Sequence, residues 1–194
     1  MIQKKEWIYR EILERFFERK ESRFTQLELS KRFSISLSTV SNALAPLRSM
    51  GAIEVKQRSF VLTDAKKLIL HWATVRSLER DIAYRTRMDA SPAEIEKLMP
   101  SGAVFTAFSA FRLRYHEAPA DYSEVYIYAD RGTLEEIKRR FPPADGPPNI
   151  VVLESDPFLP KGMVSEPQLF TDLWNIKSWY ARDFLGSLER RLFG

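Results

Sequence analysis

Apolar and polar residues recur with helical spacing at the start of the chain. Over residues 5–21 the apolar positions fall on one helical face. A second helix is predicted to begin after Thr25, whose hydroxyl can cap it, with Glu28 three residues on completing a capping box. Its apolar positions are Leu27, Leu29 and Phe33. The spacing therefore predicts two helices before residue 34.

A third helix is predicted to begin at Ser36 and to end near Met50, where Gly51 can stop it. Four apolar residues share one face and are expected to fill the core: Leu37, Val40, Leu44 and Leu47. The outward positions are then Ser38, Thr39, Ser41, Asn42, Ala45 and Arg48. Pro46 favours a bend or an earlier end of this helix, because proline removes one helical hydrogen bond.

Two short β-rich runs follow, at residues 52–55 and 60–63, and the polar residues between them form the tip of a hairpin. The tip residues are Lys56, Gln57, Arg58 and Ser59. A helix, a tight turn, a second helix and a hairpin are the signature of a winged helix-turn-helix, whose recognition helix enters the major groove of DNA. We therefore predict a winged helix-turn-helix over residues 1–63.

The rest of the chain predicts a linker and a second domain. Residues 64–87 have near-helical apolar spacing and are predicted as one long helix that links the domains or pairs with its copy in a dimer. Residues 88–194 alternate strands and helices, with a helix over 104–114, strands at 123–130 and 149–156, and an extended segment at 165–173. The fold class is predicted as α+β, with a small mixed sheet covered by helices in this domain.

Composition excludes several functional classes. The 194 residues are 44% hydrophobic and include no cysteine and two histidines, so a core can form but thiolate chemistry and multi-histidine metal sites are not expected. No cofactor or metal is predicted. The N-terminus lacks the apolar region of a secretory signal, and no apolar run is long enough to span a membrane, so a cytoplasmic location is predicted. Four glutamines, three asparagines and 29% charged residues favour a thermophilic source.

Charge is distributed unevenly between the two halves. Residues 1–87 hold 18 Lys and Arg against 10 Asp and Glu, whereas residues 88–194 hold 12 against 16. The positive half contains the predicted winged helix-turn-helix. Because basic side chains bind phosphates and release counterions, this overlap favours double-stranded DNA as the partner.

Twelve residues are predicted to contact DNA, in three groups. Short polar side chains of the third helix suit base edges and phosphates, and Asn42 can pair with adenine. The hairpin tip suits phosphate or minor-groove contact, and the start of the second helix can hold a phosphate. The predicted set is Thr25, Gln26, Ser36, Ser38, Thr39, Ser41, Asn42, Arg48, Lys56, Gln57, Arg58 and Ser59.

Two parts of the chain resemble known families. LSKRFSIS and STVSNALAPLRSMGAIE, with the hairpin after them, resemble the winged helices of prokaryotic transcriptional regulators. VFTAFSAFRLRY, EVYIYAD and VSEPQLFTDLWN, followed by Tyr180, Ala181 and Phe184, resemble the abortive-infection antitoxin regulators (AbiEi-like), in which a winged helix precedes an α/β domain. Together these segments span most of the chain.

The resemblance implies a transcriptional repressor, with autoregulation as the antitoxin of a toxin–antitoxin operon as one form of that role. It also implies that the winged helix binds operator repeats. Separately, we expect the protein to be a homodimer that reads a pseudo-palindromic or repeated site. The DNA-binding role carries over onto the matching helix and hairpin positions, which are Ser38, Thr39, Ser41, Asn42, Lys56 and Arg58. No catalytic residue is predicted, because the residues offer no Ser-His-Asp set and no glycine-rich phosphate loop.

Two alternatives remain open from the residues alone. A metal-dependent nucleotidyltransferase-like enzyme would need paired carboxylates, for which Asp130, Glu154 and Asp156 at strand ends are the candidates. Such enzymes usually also have a Gly-Ser turn before a helix, to which Ser101–Gly102 is the nearest match, in reversed order. The other alternative is a protein-interaction module, in which the winged helix binds protein and the acidic half contacts a partner.

Overall fold

The structure is a computed structural model that describes residues 2–194 of the chain. These residues divide into two compact units, residues 3–76 and residues 77–192, and each unit has its own sheet. Helices and strands occur in both units, so the predicted α+β class is confirmed. Among the described residues, no helix combines the length and the apolar character that crossing a bilayer requires.

The first unit is built from helices around a small antiparallel sheet. Its elements are α1 (Lys4–Arg19), β1 (Arg23–Phe24), α2 (Gln26–Phe33), α3 (Leu37–Ser49), β2 (Ile53–Val55), β3 (Phe60–Leu62) and α4 (Ala65–Val75). The strands lie in the order β1-β3-β2, and Val55 pairs with Phe60 beside the hairpin tip. The pattern did not predict β1, because a strand of two residues carries no periodicity.

Side-chain caps define where α2 and α3 begin. The hydroxyl oxygen of Thr25 accepts a hydrogen bond from the Glu28 backbone N–H at 3.1 Å, and that of Ser36 accepts one from the Thr39 N–H at 3.1 Å. These bonds satisfy amide groups that the first turn of a helix leaves without an internal partner. Both predicted caps are therefore confirmed.

The end of α3 combines a confirmed prediction with a correction. Gly51 follows the helix with a φ of +70°, in the left-handed region that glycine adopts at little cost. The helix itself continues through Pro46 to Ser49, so the predicted earlier end is wrong. At the C-terminal end of the helix, the Met50 N–H donates to the Pro46 carbonyl at 3.0 Å.

Helix α4 packs inside the first unit against α1. Trp72 is fully buried and its indole N–H donates to the Glu6 carboxylate at 3.1 Å, while an Arg76 nitrogen lies 3.6 Å from the same carboxylate. The apolar residues that α4 buries are Ala65, Leu68, Ile69, Trp72 and Ala73. The apolar face of this helix is therefore buried within the unit.

The prediction of one helix over residues 64–87 is wrong. Helix α4 ends at Val75, and a 3₁₀ turn (Glu79–Asp81) leads into strand β4 (Ile82–Thr86). Arg76 leaves the helical conformation with a ψ of 139° and its side chain is buried beside Glu6, which fixes the exit of the chain. The predicted linker or dimerisation helix is thus absent as one element.

The second unit surrounds a four-stranded mixed sheet with helices. After β4 come α5 (Pro92–Leu98), β5 (Val104–Thr106), α6 (Ala107–Tyr115), β6 (Val125–Ala129), α7 (Arg131–Arg140), β7 (Ile150–Glu154), α8 (Glu166–Trp174) and α9 (Ala181–Phe193). The strand order is β4-β7-β6-β5, with β6 and β7 parallel and both outer pairs antiparallel.

Alternating residues of the central strands bury one face of this sheet against α5 and α7. Val125, Ile127 and Ala129 of β6 share a core with Ile95 of α5 and Ile137 of α7. Side chains of a strand point alternately to the two faces, so Tyr128 is buried on the opposite face. The predicted strands at 123–130 and 149–156 are therefore confirmed at the centre of the sheet.

Two further segments differ from their predictions. The extended segment predicted at residues 165–173 is helix α8, in which Pro167 lies in the first turn, a position where proline suits a helix. Residues 104–106, predicted as part of a helix, form strand β5, and α6 begins only after Thr106. Ala107 makes this transition with a φ of +50°.

Candidate nucleic-acid interface

Helix α3 presents a polar face to solvent. Its buried residues are Val40, Ala43, Leu44 and Leu47. The predicted outward residues are exposed except for Thr39, which is half-buried. Within residues 2–194, no hydrogen bond or ion pair engages the side chains of Asn42 and Arg48. The amide and the guanidinium are therefore available to an external ligand.

Three hydroxyl groups cluster at the N-terminus of α3. The Ser36 hydroxyl lies 2.8 Å from that of Ser38 and 2.8 Å from that of Thr39, and it also caps the helix. A hydroxyl offers one donor and two acceptor sites, so the outer two groups keep hydrogen-bonding capacity for a ligand. Ser36 itself has a structural role as cap.

The hairpin tip between β2 and β3 carries two cationic side chains. The Lys56 backbone N–H donates to the Ser59 carbonyl at 2.8 Å, which closes the turn and leaves Gln57 and Arg58 exposed. The Lys56 ammonium bonds the Glu54 carboxylate, with both side chains about half exposed. An exposed ion pair of this kind contributes little to stability, because water screens the two charges. A phosphate can therefore compete with Glu54 for the lysine.

The start of α2 is less suited to phosphate than the sequence predicts. The Thr25 hydroxyl donates to the Glu28 carboxylate at 3.2 Å, and that carboxylate also accepts from Arg15 at 2.9 Å. The predicted capping box is therefore wrong in its second half, because the Glu28 side chain bonds the Thr25 hydroxyl instead of the Thr25 backbone N–H. A carboxylate at this position opposes phosphate binding by Thr25.

A groove of about 380 Å³ lies between the start of α2, helix α3 and the hairpin tip. Eight of the twelve predicted contact residues line it. The other four do not, and they are Ser36, which caps α3, and Ser38, Thr39 and Asn42 of α3. Arg48, Lys56 and Arg58 contribute three positive charges to the lining, which includes no aspartate or glutamate. Residues of all three predicted groups therefore meet around one concave surface.

Sequence reasoning missed the apolar side of this groove. Leu27, Leu37 and Val55 line it and are each about half exposed, at 54%, 51% and 50%. The prediction that Leu37 fills the core is wrong, because the buried positions of α3 begin one turn later at Val40. The exposure of Leu27 could have been predicted from the sequence. Leu27 lies two residues before the buried Leu29, and residues two apart lie on opposite sides of a helix.

The first unit carries the net positive charge of the chain. Residues 3–76 contain 15 Lys and Arg against 8 Asp and Glu, while residues 77–192 contain 15 against 18. The charge asymmetry predicted from the two halves therefore follows the boundary between the compact units. A surplus of this sign raises the local concentration of a polyanion at the first unit.

Helix α3 is held in place from behind by Tyr9 of α1. The Tyr9 hydroxyl donates to the Ala43 carbonyl at 2.9 Å, and both residues are buried. Burial, reinforced by the Glu6 carboxylate, raises the pKa of this hydroxyl to about 12. The tyrosine therefore stays protonated, and keeps donating, well above the ordinary tyrosine pKa of about 10.

This raised pKa predicts a loss of stability in alkali. The unfolded chain releases the Tyr9 proton near pH 10, whereas the folded chain retains it to about pH 12. The contribution of the Tyr9 hydroxyl to the free energy of unfolding is therefore complete below pH 10 and is lost as the pH rises through 12. Wild type should exceed Tyr9→Phe in free energy of unfolding by about 1 kcal/mol at pH 9. In denaturant titrations, this difference in the free energy of unfolding should decrease between pH 10 and 12. A difference that stays constant over that range would contradict the raised pKa of Tyr9.

The carboxylates predicted for an enzyme site do not form a metal-binding group. Asp130 caps α7 by accepting from the Thr133 N–H at 2.8 Å, a bond that lowers the pKa of its carboxyl group, and Asp156 accepts from the Phe158 N–H at 2.9 Å. Both line a cavity of about 730 Å³ with Ser101 and Gly102, but Glu154 does not. Within residues 2–194, no group of three or more His, Asp or Glu could hold a metal ion.

Comparison of the chain with protein-family models, curated proteins and solved structures gave no significant match. The likeness to the AbiEi-like regulators therefore stays a prediction that depends on the quoted motifs. The function has to be argued from the groove and the surface around it.

Proposed function

We propose that the protein is a sequence-specific, DNA-binding transcriptional regulator, and that residues 3–76 act as a winged helix-turn-helix with α3 as the recognition helix. One observation carries this proposal: the polar face of α3 and the cationic hairpin tip border one groove whose lining has three cations and no carboxylate. A polyanion with hydrogen-bonding groups is the ligand that such a surface favours.

In the proposed complex, the hairpin and α3 have different tasks. Lys56 and Arg58 hold phosphates and fix the register of the protein on the duplex, while Arg48 anchors the end of α3. Asn42, whose amide can donate and accept at the same time, pairs with an adenine edge in the major groove. Base readout is thus limited, and phosphate contacts supply much of the affinity.

The regulatory role extends this proposal. Bound at a promoter, the protein would act as a repressor in the cytoplasm, and the resemblance to AbiEi-like regulators supports autoregulation as an antitoxin. We include a homodimer in the proposal, because two copies on a two-fold site double the number of contacts. Helix α4 does not support that dimer, since its apolar face is buried within the unit.

The proposal predicts selection of specific duplexes with a strong dependence on salt. The full chain would be used to enrich bound sequences from a random double-stranded library, and the dissociation constant of one enriched duplex would be measured over a salt series. Three cations at phosphates give a slope of log K against log salt of roughly −3 per protomer, since each contact contributes about −0.9. An unenriched library, or affinity independent of salt, would refute DNA binding.

A further inference from the structure

The apolar side chains of the groove form a patch on the surface of the first unit. Leu27 of α2, Leu37 of α3 and Val55 of β2 each leave about half of their surface exposed. In the described part of the chain, the other large apolar side chains with comparable exposure are Leu98, Trp174 and Trp179, all in the second unit. Every such side chain of the first unit therefore lines one groove.

These side chains remain outside because the core is already filled behind them. Leu29, Val40 and Ile53, their neighbours on the same three elements, are at most 4% exposed. Exposed apolar side chains that line one groove mark a surface that gains free energy when a ligand covers it. The patch therefore calls for a ligand with an apolar group that fits a cationic groove.

Duplex DNA offers one such group. The C5 methyl of thymine is the only apolar group that a base pair presents in the major groove. Between residues 33 and 47 the chain has no lysine or arginine, the side chains that usually recognise guanine, whereas Asn42 suits adenine. The apolar patch and the amide therefore favour the two halves of an A·T pair.

We infer that Leu27, Leu37 and Val55 read thymine methyl groups, so that the protein selects A·T-rich sites through apolar contacts instead of arginine–guanine pairs. This inference depends on the proposed DNA binding and adds the class of sequence recognised. The three cations of the groove lining hold the phosphates and bring the duplex within reach of the patch.

Replacement of thymine by uracil tests the inference, because it removes only the methyl group. A duplex enriched from the random library would be synthesised with uracil at each thymine in turn, and its dissociation constant with the full wild-type chain would be measured at one salt concentration. At least two positions should weaken binding by about fourfold each, the effect of withdrawing one apolar carbon from a buried contact. The salt slope should stay unchanged.

A variant then assigns the effect to the patch. In Leu37→Ala/Val55→Ala, the fourfold difference between thymine and uracil duplexes should vanish at the positions that these side chains contact. Leu98→Ala, at a side chain 45% exposed in the second unit, is the matched control and should keep the full difference. Circular dichroism of each variant establishes that the helices are retained.

The outcomes separate this inference from the proposed function. If the wild-type chain binds duplexes with the expected salt slope but every uracil replacement is neutral, the inference is overturned and DNA binding stands. If the variant weakens binding to thymine and uracil duplexes equally, the patch contacts something other than methyl groups, such as a protein, and the inference again fails. If no duplex is enriched at all, DNA binding itself fails.

Discussion

Lys56→Glu/Arg58→Glu is expected to weaken binding of the full chain to its enriched duplex by at least about 100-fold. The double variant removes two charge-assisted contacts to phosphate, each contributing roughly 1.5–3 kcal/mol, and it places two like charges against the phosphate backbone. Both side chains are exposed at the hairpin tip, so their replacement leaves the core of the unit unchanged. Fluorescence anisotropy at moderate salt measures the loss.

The chain offers a control with the same change in net charge. Lys161 and Arg182 are exposed in the second unit, and within residues 2–194 their side chains make no hydrogen bond or ion pair. Lys161→Glu/Arg182→Glu should therefore retain affinity within about threefold if the hairpin acts locally. Equal losses in the two double variants would attribute binding to overall charge and would remove the hairpin from the proposed interface.

The salt slope gives a second readout on the same proteins. Each phosphate contact contributes about −0.9 to the slope of log K against log salt, so the hairpin variant should have a slope less steep by roughly 2. A variant that loses affinity without this change in slope would have been altered in shape instead of in phosphate contacts.

The first unit was largely predictable because its signals are local. Thr25 and Ser36 accept backbone hydrogen bonds three residues away, and Gly51 adopts the left-handed conformation at the end of α3. Each signal lies within one turn of the boundary that it sets. The interpretation of residues 25–63 as helix, turn, helix and hairpin therefore needed no knowledge of tertiary contacts.

The second unit was less predictable because distant pairings decide its boundaries. Leu78 and Ile82 fit helical spacing, yet Ile82 lies in a strand because it pairs with Leu153 of β7. Strand β5 is likewise defined by β6, with Phe105 opposite Ile127. A short apolar run fits a strand or a helix equally well by periodicity, and only the partner strand distinguishes them.

The candidate site was predictable on its polar side only. Asn42 and Arg48 follow from the spacing of the buried residues of α3, and Arg58 from the hairpin. Leu37 shares that spacing but precedes the first buried turn, so periodicity assigned it to the core. An apolar side chain in the first turn of a helix is buried only if the preceding turn places that end of the helix against the core. The spacing of apolar residues along the sequence carries no information about that placement.

Asp172→Ala is expected to destabilise the second unit by roughly 3–5 kcal/mol. Asp172 is fully buried, and its carboxylate accepts from the Thr106 hydroxyl at 2.7 Å, the Tyr128 hydroxyl at 2.8 Å and the Gln168 amide at 2.9 Å. These partners come from β5, β6 and α8, and all three are buried as well. Alanine leaves the two buried hydroxyls without this acceptor, and each loses about 1–3 kcal/mol of hydrogen bonding that water cannot restore. The Gln168 amide loses one of its two acceptors and keeps the Tyr128 hydroxyl at 3.2 Å.

The network around Asp172 joins the predicted strand β6 to two elements that the sequence pattern assigned wrongly, β5 and α8. Its loss should therefore weaken the sheet. Hydrogen exchange of the β6 and β7 amides would measure the effect, because it reports local free energy even if the two units unfold separately. Asp145→Ala, at an exposed loop residue, is the matched control and should change protection by less than about 0.5 kcal/mol. Asp172→Asn keeps an acceptor oxygen for the two hydroxyls, so its protection should be intermediate between that of Asp172→Ala and that of Asp145→Ala. Protection in Asp172→Ala equal to that in the control would mean that the three donors find other acceptors, and that packing alone holds β5, β6 and α8 together.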